Sequence, residues 1–234
     1  MQAQLQAAFL LHRRPYRDTS ALLEVFSRDY GRIGLVARGV RGARSRLGPL
    51  LQPFAPLLVS WSGRGELGTL TGAEPAGAPL RLPPRVLPSG FYLNELLVRL
   101  LRRHDPHEGL FAAYTRALAA LAHNDGEPAL RLFERDLLDA LGYGLLLDRE
   151  AHGGVPLSPS ERYCYHLELG PLPAVAGAPA AGPIVQGATL LALARGELED
   201  SAVLQEAKQL LRAALAPYLG GRPLQSRRLL RRDG

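Results

Sequence analysis

The sequence contains a single cysteine, Cys164, among 234 residues. One cysteine excludes an internal disulfide framework and a zinc site built from several cysteines, and it is compatible with a reducing compartment. No apolar run approaches the roughly 20 residues needed to cross a bilayer. The first apolar stretch is short and lacks a basic start, so it does not have the pattern of a signal peptide. We therefore expect a cytoplasmic protein that is not embedded in a membrane.

Lysine is almost absent as well, because Lys208 is the only lysine among 28 basic residues. The formal net charge is +6, which favours a polyanionic partner, either nucleic acid or an anionic membrane surface. Arginine suits phosphate because its planar fork donates two parallel hydrogen bonds. Hydrophobic residues make up 47% of the chain, which is enough for a packed core.

The chain also lacks the common catalytic and nucleotide-binding motifs GxxxxGK[ST] and GxSxG. A proline interrupts the candidate metal ligands His104, Asp105 and His107, and no further ligand occurs at a convincing spacing. Cys164 and His166 share a strand face, but no orienting partner for a nucleophile pair is evident. We expect no catalytic centre, no cofactor and no metal.

The first 80 residues have the pattern of a small β-barrel. Strands are predicted at residues 5–11, 22–27, 32–38, 57–62 and 66–70, with a turn-rich stretch at 12–19. Five short strands suggest an OB-type barrel, although periodicity alone does not separate it from an SH3-like barrel. A linker rich in proline, glycine and alanine is predicted at 74–88.

The remaining residues have mainly helical periodicity, which makes the predicted fold class α+β. Ser89 is expected to cap the first helix, Pro128 to lie in the first turn of the third and Gly142 to end that helix. An irregular insertion with one strand at 163–169 is predicted over about 149–188. Helices follow near 190–195 and 201–218. The predicted domains are therefore 1–80, the barrel, and 81–234, the helical domain with its insertion.

Positive charge concentrates between residues 31 and 53, where no acidic residue occurs. In an OB barrel, the loops beside strands 2 and 3 border the groove used by single strands, so DNA contact is expected there. Tyr16, in a loop among arginines, is the best candidate for base stacking. The alternative is a solvated basic loop. The predicted DNA-binding arginines of this region are Arg13, Arg14, Arg17, Arg32, Arg38, Arg41, Arg44 and Arg46.

A second basic cluster lies at the C-terminal end of the sequence, LQSRRLLRRDG. Arg227 and Arg228 are predicted to contribute to DNA binding, and the alternative is a frayed, solvated terminus.

Five segments of the chain resemble the bacterial RecO family of recombination and repair mediators. They are FLLHRRPYRDTSALLEVFSRDYGRIGLVARGVR, LLQPFAPLLVSW, FYLNELLVRLL, PALRLFERDLLDALGYGLLLD and AKQLLRAALAPYLGGRPLQSRRLL. The last two are specific, since GG[KR]PL followed by SR after an amphipathic helix is hard to meet by chance. Residues 74–88 and the stretch after Arg149 match weakly.

The resemblance implies an N-terminal OB domain and a helical C-terminal domain. It also implies binding of single- and double-stranded DNA, annealing of complementary strands, and assistance in loading RecA onto strands coated by single-stranded-DNA-binding protein (SSB). RecR is the family's usual partner, and the acidic, phenylalanine-ended tail of SSB docks on the helical domain. We assign to Arg131, which lies beside Leu130 and Phe133, the role of pairing with that tail. The alternative is an ordinary helix-surface arginine paired with Glu134. Some members carry a four-cysteine zinc site in the insertion, and this chain has only Cys164 there.

Two other functions fit the same pattern. One is an OB-type module that binds structured RNA or organises partner proteins without annealing activity. The other is an enzyme whose site lies in the insertion. DNA affinity that falls steeply with salt would favour the mediator over both.

Overall fold

The computed structural model describes residues 2–63, 65–123, 126–175, 177 and 180–226. The chain divides into two compact units: residues 1–124 together with 224–234, and residues 125–223. The predicted boundary near residue 80 separates the barrel from the helices, whereas the first unit also includes two helices and the residues after Pro223.

The first unit begins with five strands: β1 (Gln2–Tyr16), β2 (Ser20–Ser27), β3 (Gly31–Ala37), β4 (Pro56–Ser62) and β5 (Leu67–Pro75). They form a closed barrel in the order β1-β2-β3-β5-β4. The β3–β5 pair is parallel and the other pairs are antiparallel. This arrangement confirms the predicted OB-type barrel and removes the SH3-like alternative. Alternate residues fill the interior, among them Leu23, Val25, Ile33, Leu35 and Trp61.

Strand β1 is longer than predicted, because residues 12–16 belong to the strand and not to a turn. Arg14 lies opposite Leu22 and Tyr16 opposite Ser20, so pairing with β2 continues through this polar stretch. The pairing partner, which composition does not reveal, decides the conformation here. The linker is also shorter than predicted, because β5 extends to Pro75.

Two helices complete the first unit, α1 (Leu87–Leu100) and α2 (Glu108–Ala122). The prediction that Ser89 caps α1 is wrong, because the helix begins two residues earlier and Ser89 is buried in its first turn. Helix α2 packs on the outside of the barrel: the Phe9 and Phe26 rings lie 5.1 to 6.1 Å, between centroids, from those of Phe111 and Tyr114.

A buried hydrogen-bonded chain joins α2, α1 and β1. The Tyr114 hydroxyl donates to Asn94 Oδ1 at 2.5 Å, and Asn94 Nδ2 donates to the Leu11 carbonyl at 3.0 Å. Both side chains are almost fully buried, and burial raises the pKa of Tyr114 far above its usual range, which keeps the hydroxyl a donor.

The second unit contains α3 (Gly126–Ala140), α4 (Gly187–Arg195) and α5 (Ser201–Leu215). Pro128 lies in the first turn of α3 as predicted. Gly142, with φ of +82°, follows the end of α3. Its N–H donates to the Asp139 carbonyl, and the Tyr143 N–H donates to the Leu138 carbonyl. The sequence prediction of this helix end is confirmed.

The insertion is more regular than predicted. It forms a three-stranded antiparallel sheet of β6 (Arg162–His166), β7 (Gly170–Pro173) and β8 (Ile184–Gln186) in the order β7-β6-β8. Tyr163 and Tyr165 are buried, and burial raises the pKa of Tyr165 to about 12. The Tyr163 hydroxyl accepts from the Ser158 N–H at 2.9 Å. Two buried tyrosines therefore give this sheet an apolar centre that composition alone did not reveal.

Candidate nucleic-acid interface

One end of the outer barrel surface carries Arg14, an exposed arginine of β1. A bulge between Leu10 and His12 shifts the alternation of β1, so that Arg13 lies opposite the core residue Leu23 and Arg14 opposite Leu22. Bulges commonly re-aim side chains in this way. Leu22 in turn pairs with Val36. Arg14, Leu22 and Val36 thus form a row across three strands, in which the arginine is exposed and the two apolar side chains are half-buried.

The loop between β3 and β4, residues 38–55, brings four more arginines to the same end. Val40 and Leu51 are buried in the barrel core, so the loop is held down at two points. The Arg41 N–H also donates to the Thr19 carbonyl at 2.9 Å, and its Nη1 donates to the Arg17 carbonyl at 3.1 Å. We call the exposed arginines that surround this end the arginine rim: Arg14, Arg17, Arg38, Arg41, Arg44 and Arg46.

Tyr16 is half-buried at the end of β1, and the Arg17 guanidinium carbon lies 5.2 Å from its ring centroid. This cation–π contact covers part of the ring that was predicted to stack on a base. Arg17 has φ of +53°, and Asp18 adds one exposed acidic side chain to the same turn. Tyr16 therefore supports the rim by holding Arg17, and its stacking on a base stays a prediction.

Arg13 differs from the rim arginines because its guanidinium is bonded to the loop. Nη1 donates to the Gly48 carbonyl at 3.2 Å and Nη2 to the Val40 carbonyl at 3.3 Å. The side chain is half-buried between β1 and the loop. The structure therefore gives Arg13 a positioning role for the rim.

We expect Arg13→Met to lower affinity for single-stranded DNA by about 3- to 10-fold, since two hydrogen bonds from a charged group, worth about 1.5–3 kcal/mol each, no longer hold the loop. Amide hydrogen exchange of residues 38–55 should accelerate. Arg14→Met is the matched control, because it removes an exposed guanidinium of the same strand. It should reduce affinity while leaving exchange in the loop unchanged. Unchanged exchange in both variants would contradict the positioning role.

Arg32 lies outside the rim and forms an ion pair. The segment 31–53 contains no acidic residue, but Arg32 finds its counter-charge elsewhere in the chain. Its Nη1 forms an ion pair with Glu24 Oε2 at 2.9 Å, and its Nε donates to the Leu101 carbonyl at 3.0 Å. Arg103 pairs with the other oxygen of the same carboxylate. The acid comes from the neighbouring strand β2, which a scan along one segment does not reveal.

The same contacts close the centre of the outer β2–β3 face. The Arg103 guanidinium lies where a Cβ on Gly34 would point, and the His104 N–H donates to the Arg32 carbonyl at 3.0 Å. Gly31 tolerates the Asp105 carbonyl only because it lacks a Cβ, which would lie 2.0 Å from that oxygen. The β2–β3 face, whose neighbouring loops were expected to border the groove for single strands, is therefore covered at its middle.

The residues assigned to the SSB tail lie on α3 and are buried. Leu130 is 5% exposed, Phe133 1% and Arg131 5%. Arg131 Nη2 pairs with Glu134 Oε1 at 3.1 Å, while the buried Arg131 Nε has no hydrogen-bond partner in the described part of the chain. The Arg131–Glu134 ion pair, which was the alternative to a tail-binding role for Arg131, is thus present, although it lies on a buried face of α3 and not on the helix surface. An incoming carboxylate would have to replace Glu134.

Several sequence predictions concern other parts of the chain. Arg227 and Arg228 lie outside the described residues. Within residues 2–226, apart from the gaps given above, no group of three histidine, cysteine or acidic side chains is placed to hold a metal ion. No helix in the described ranges is long and apolar enough to cross a membrane. Cys164 is half-buried, with its thiol 3.8 Å from the Gly182 carbonyl.

Comparison with known proteins identifies the family. The sequence profile described as "Recombination protein O N terminal" matches residues 1–79, and the one described as "Recombination protein O C terminal" matches residues 86–228. A protein named DNA repair protein RecO from Nitrosococcus oceani is 54% identical over 98% of this chain and 94% of its own length. A protein of the same name from Alkalilimnicola ehrlichii is 55% identical, with an alignment that covers 97% of this chain and 90% of its own length. Another, from Yersinia pestis, is 46% identical, and its alignment covers 97% of this chain and 93% of its own length. The chain, with its OB-type barrel and helical region, belongs to the RecO family.

Proposed function

We propose that this chain is a DNA repair protein that acts as a recombination mediator: it binds single- and double-stranded DNA at the arginine rim and anneals complementary strands. The observation that carries the proposal is the rim itself, six exposed arginines on one end of a closed OB-type barrel. The loop that carries four of them is fastened by buried apolar residues and by Arg13. A fixed cluster of guanidiniums binds phosphates with little ordering cost on association.

The proposed mechanism is electrostatic and involves no covalent step. Each strand carries one negative charge per nucleotide, and arginines that neutralise phosphates release condensed counterions. Two strands held at the same rim repel each other less, so their bases can pair. The half-buried Leu22 and Val36 beside Arg14 add apolar surface for base or sugar contacts. In this proposal the rim distinguishes phosphate backbones from other ligands and reads no base sequence.

The proposed partners are RecR and the C-terminal tail of SSB, and through them RecA, as membership of the family suggests. In this proposal the protein assists RecA loading on SSB-coated strands. Arg131, Leu130 and Phe133 remain the assigned tail residues, and because Arg131 is paired with Glu134, docking requires the tail carboxylate to displace that partner. Recruitment by SSB and binding by the rim are separate steps, so they can be measured separately.

The test is strand annealing with complementary oligonucleotides, bare and coated with SSB, together with binding over a salt series. We expect annealing on both substrates and a salt slope of about −0.7 for each phosphate contacted on a single strand, or about −4 if all six rim arginines engage. Salt-insensitive binding would contradict the proposal. Equal binding of structured RNA without annealing would support the RNA-binding alternative, and annealing that stops on SSB-coated strands would remove SSB as a partner.

A further inference from the structure

A single carboxylate lies between two guanidiniums on the outer face of β2 and β3. Glu24 Oε2 pairs with Arg32 Nη1 at 2.9 Å, and Glu24 Oε1 pairs with Arg103 Nη2. The three side chains keep contact with solvent, with exposed fractions of 21% for Glu24, 16% for Arg32 and 28% for Arg103. We call these three side chains the ion triad. It contains two positive charges and one negative charge at a place that solvent reaches.

Both guanidiniums of the ion triad have an anchor besides the carboxylate. Arg32 Nε donates to the Leu101 carbonyl at 3.0 Å, and Arg103 Nη1 donates to the Glu66 carbonyl at 3.2 Å. The Arg103 guanidinium also lies on β3 at Gly34, where a Cβ would be only 2.9 to 3.1 Å from its atoms. The two guanidiniums are therefore held in place by the backbone, whichever anion lies between them.

The arrangement suits a phosphate as well as a carboxylate. Guanidiniums donate charge-assisted hydrogen bonds to the oxygens of either group, and the planar fork of arginine matches both geometries. A nucleic-acid strand carries one negative charge per nucleotide on such oxygens. Glu24 is therefore an internal equivalent of a backbone phosphate, and it already occupies the position between the two arginines in the unbound protein.

The ion triad lies directly beside the arginine rim. Glu24 and Leu22 are two residues apart on β2, so both point to the outer face, and they lie opposite Gly34 and Val36 of β3. Leu22 and Val36 belong to the row that ends in Arg14 of the rim. Positions two residues apart on a strand are separated by about 7 Å. Two stacked nucleotides, at about 3.4 Å each, cover that distance.

We propose that Arg32 and Arg103 form a further phosphate site for the strand held at the rim, and that Glu24 occupies this site and closes it to phosphate. This inference rests on the proposed function, because it needs a strand bound at the rim. Glu24 is then an autoinhibitory residue, which ends the bound stretch of strand at the rim and limits the affinity. A protein that anneals strands must also release them, and a limit on affinity favours release because weaker binding is mostly faster dissociation.

The experiment compares Glu24→Gln with Asp29→Asn in the full chain. Each variant replaces a carboxylate by an amide of the same shape, raises the net charge by one and removes the ion-pair partner of an arginine. Asp29 is the matched control because it pairs at 2.8 Å with Arg28, which lies outside the rim. We expect Glu24→Gln to raise affinity for single-stranded DNA about 4-fold at 0.15 M salt and to steepen the salt slope by about 0.7, as one further phosphate contact requires.

Asp29→Asn should leave the salt slope unchanged and give no comparable gain in affinity. Equal gains in the two variants, or no gain in Glu24→Gln, would overturn the proposal. Glu24→Thr removes the carboxylate in a second way, with a side chain that suits a strand. It should raise the affinity by the same factor, so the proposal stays testable even if Glu24→Gln folds poorly.

Gly34→Ala tests the phosphate site without any change of charge. Its added Cβ would meet the Arg103 guanidinium, which is the mobile end of a long side chain and moves away. In the Glu24→Gln background, Gly34→Ala should therefore cancel the gain in affinity and return the salt slope to its natural value. A gain that survives Gly34→Ala would contradict the proposal, because the loss of a negative charge would then explain it without a phosphate between Arg32 and Arg103.

Failure of this inference is distinguishable from failure of the proposed function. If the natural chain binds no single-stranded DNA, or if rim substitutions leave its binding unchanged, the rim proposal fails and the further phosphate site fails with it. If rim substitutions lower the affinity while Glu24→Gln and Glu24→Thr do not raise it, only the inference about the ion triad is wrong.

Discussion

Replacing Arg38, Arg41 and Arg44 with alanine is expected to lower affinity for single-stranded DNA about 50-fold at 0.15 M salt. Each phosphate contact on a single strand contributes about 0.7 to the slope of log affinity against log salt, so three lost contacts reduce the slope by about 2. All three side chains are exposed in the loop between β3 and β4, and Val40 and Leu51 hold that loop without them. The fold should therefore survive, and annealing should slow in parallel with binding.

The measurement is a fluorescence-anisotropy titration at several salt concentrations, with a thermal melt to check folding. The matched control replaces Arg149, Arg195 and Arg212, three exposed arginines of the other unit, and so lowers the net charge by the same three units. A loss confined to the loop variant assigns binding to the rim. Equal losses in both variants would mean that overall charge, and not the rim, governs the affinity.

Asn94→Leu is expected to destabilise the first unit by about 3 kcal/mol, because a buried donor or acceptor that loses its partner costs about 1–3 kcal/mol and this substitution affects two of them. The Leu11 carbonyl loses the Asn94 Nδ2 donor, and the Tyr114 hydroxyl loses the Asn94 Oδ1 acceptor. Leucine has the same branched arrangement of side-chain heavy atoms as asparagine, so the substitution leaves no cavity and lost hydrogen bonding should dominate. Urea unfolding followed by circular dichroism measures the loss.

A double-mutant cycle with Tyr114→Phe tests the assignment. Tyr114→Phe alone should cost about 1.5 kcal/mol, since Asn94 Oδ1 then loses its donor. In the double variant neither the hydroxyl nor the amide remains, so the total should stay near 3 kcal/mol and show a coupling of at least about 1 kcal/mol. Strictly additive losses would contradict a direct hydrogen bond between the two side chains.

Much of the architecture could be predicted from local pattern. The alternation in β2, β3 and β4 gave those strands nearly their observed bounds, and Gly142 marked the end of α3 because a positive φ after a helix favours glycine. The errors occurred where a partner strand or helix decides the conformation. Polar residues 12–16 are strand because β2 pairs with them, and the insertion is a sheet because Tyr163 and Tyr165 find a buried environment.

The sequence by itself determined that this is a basic protein whose arginines gather between residues 31 and 53, on a barrel followed by helices. Only the tertiary structure decided which of those arginines can face a ligand. Arg32, in that segment, is held by Glu24 on the neighbouring strand and by the Leu101 carbonyl. Arg13, which precedes the segment and was predicted to extend the same surface, is held by two loop carbonyls. The reason is physical: charge is a property of the residue, whereas a guanidinium's partner comes from strands and helices that are distant in the chain and adjacent only after folding.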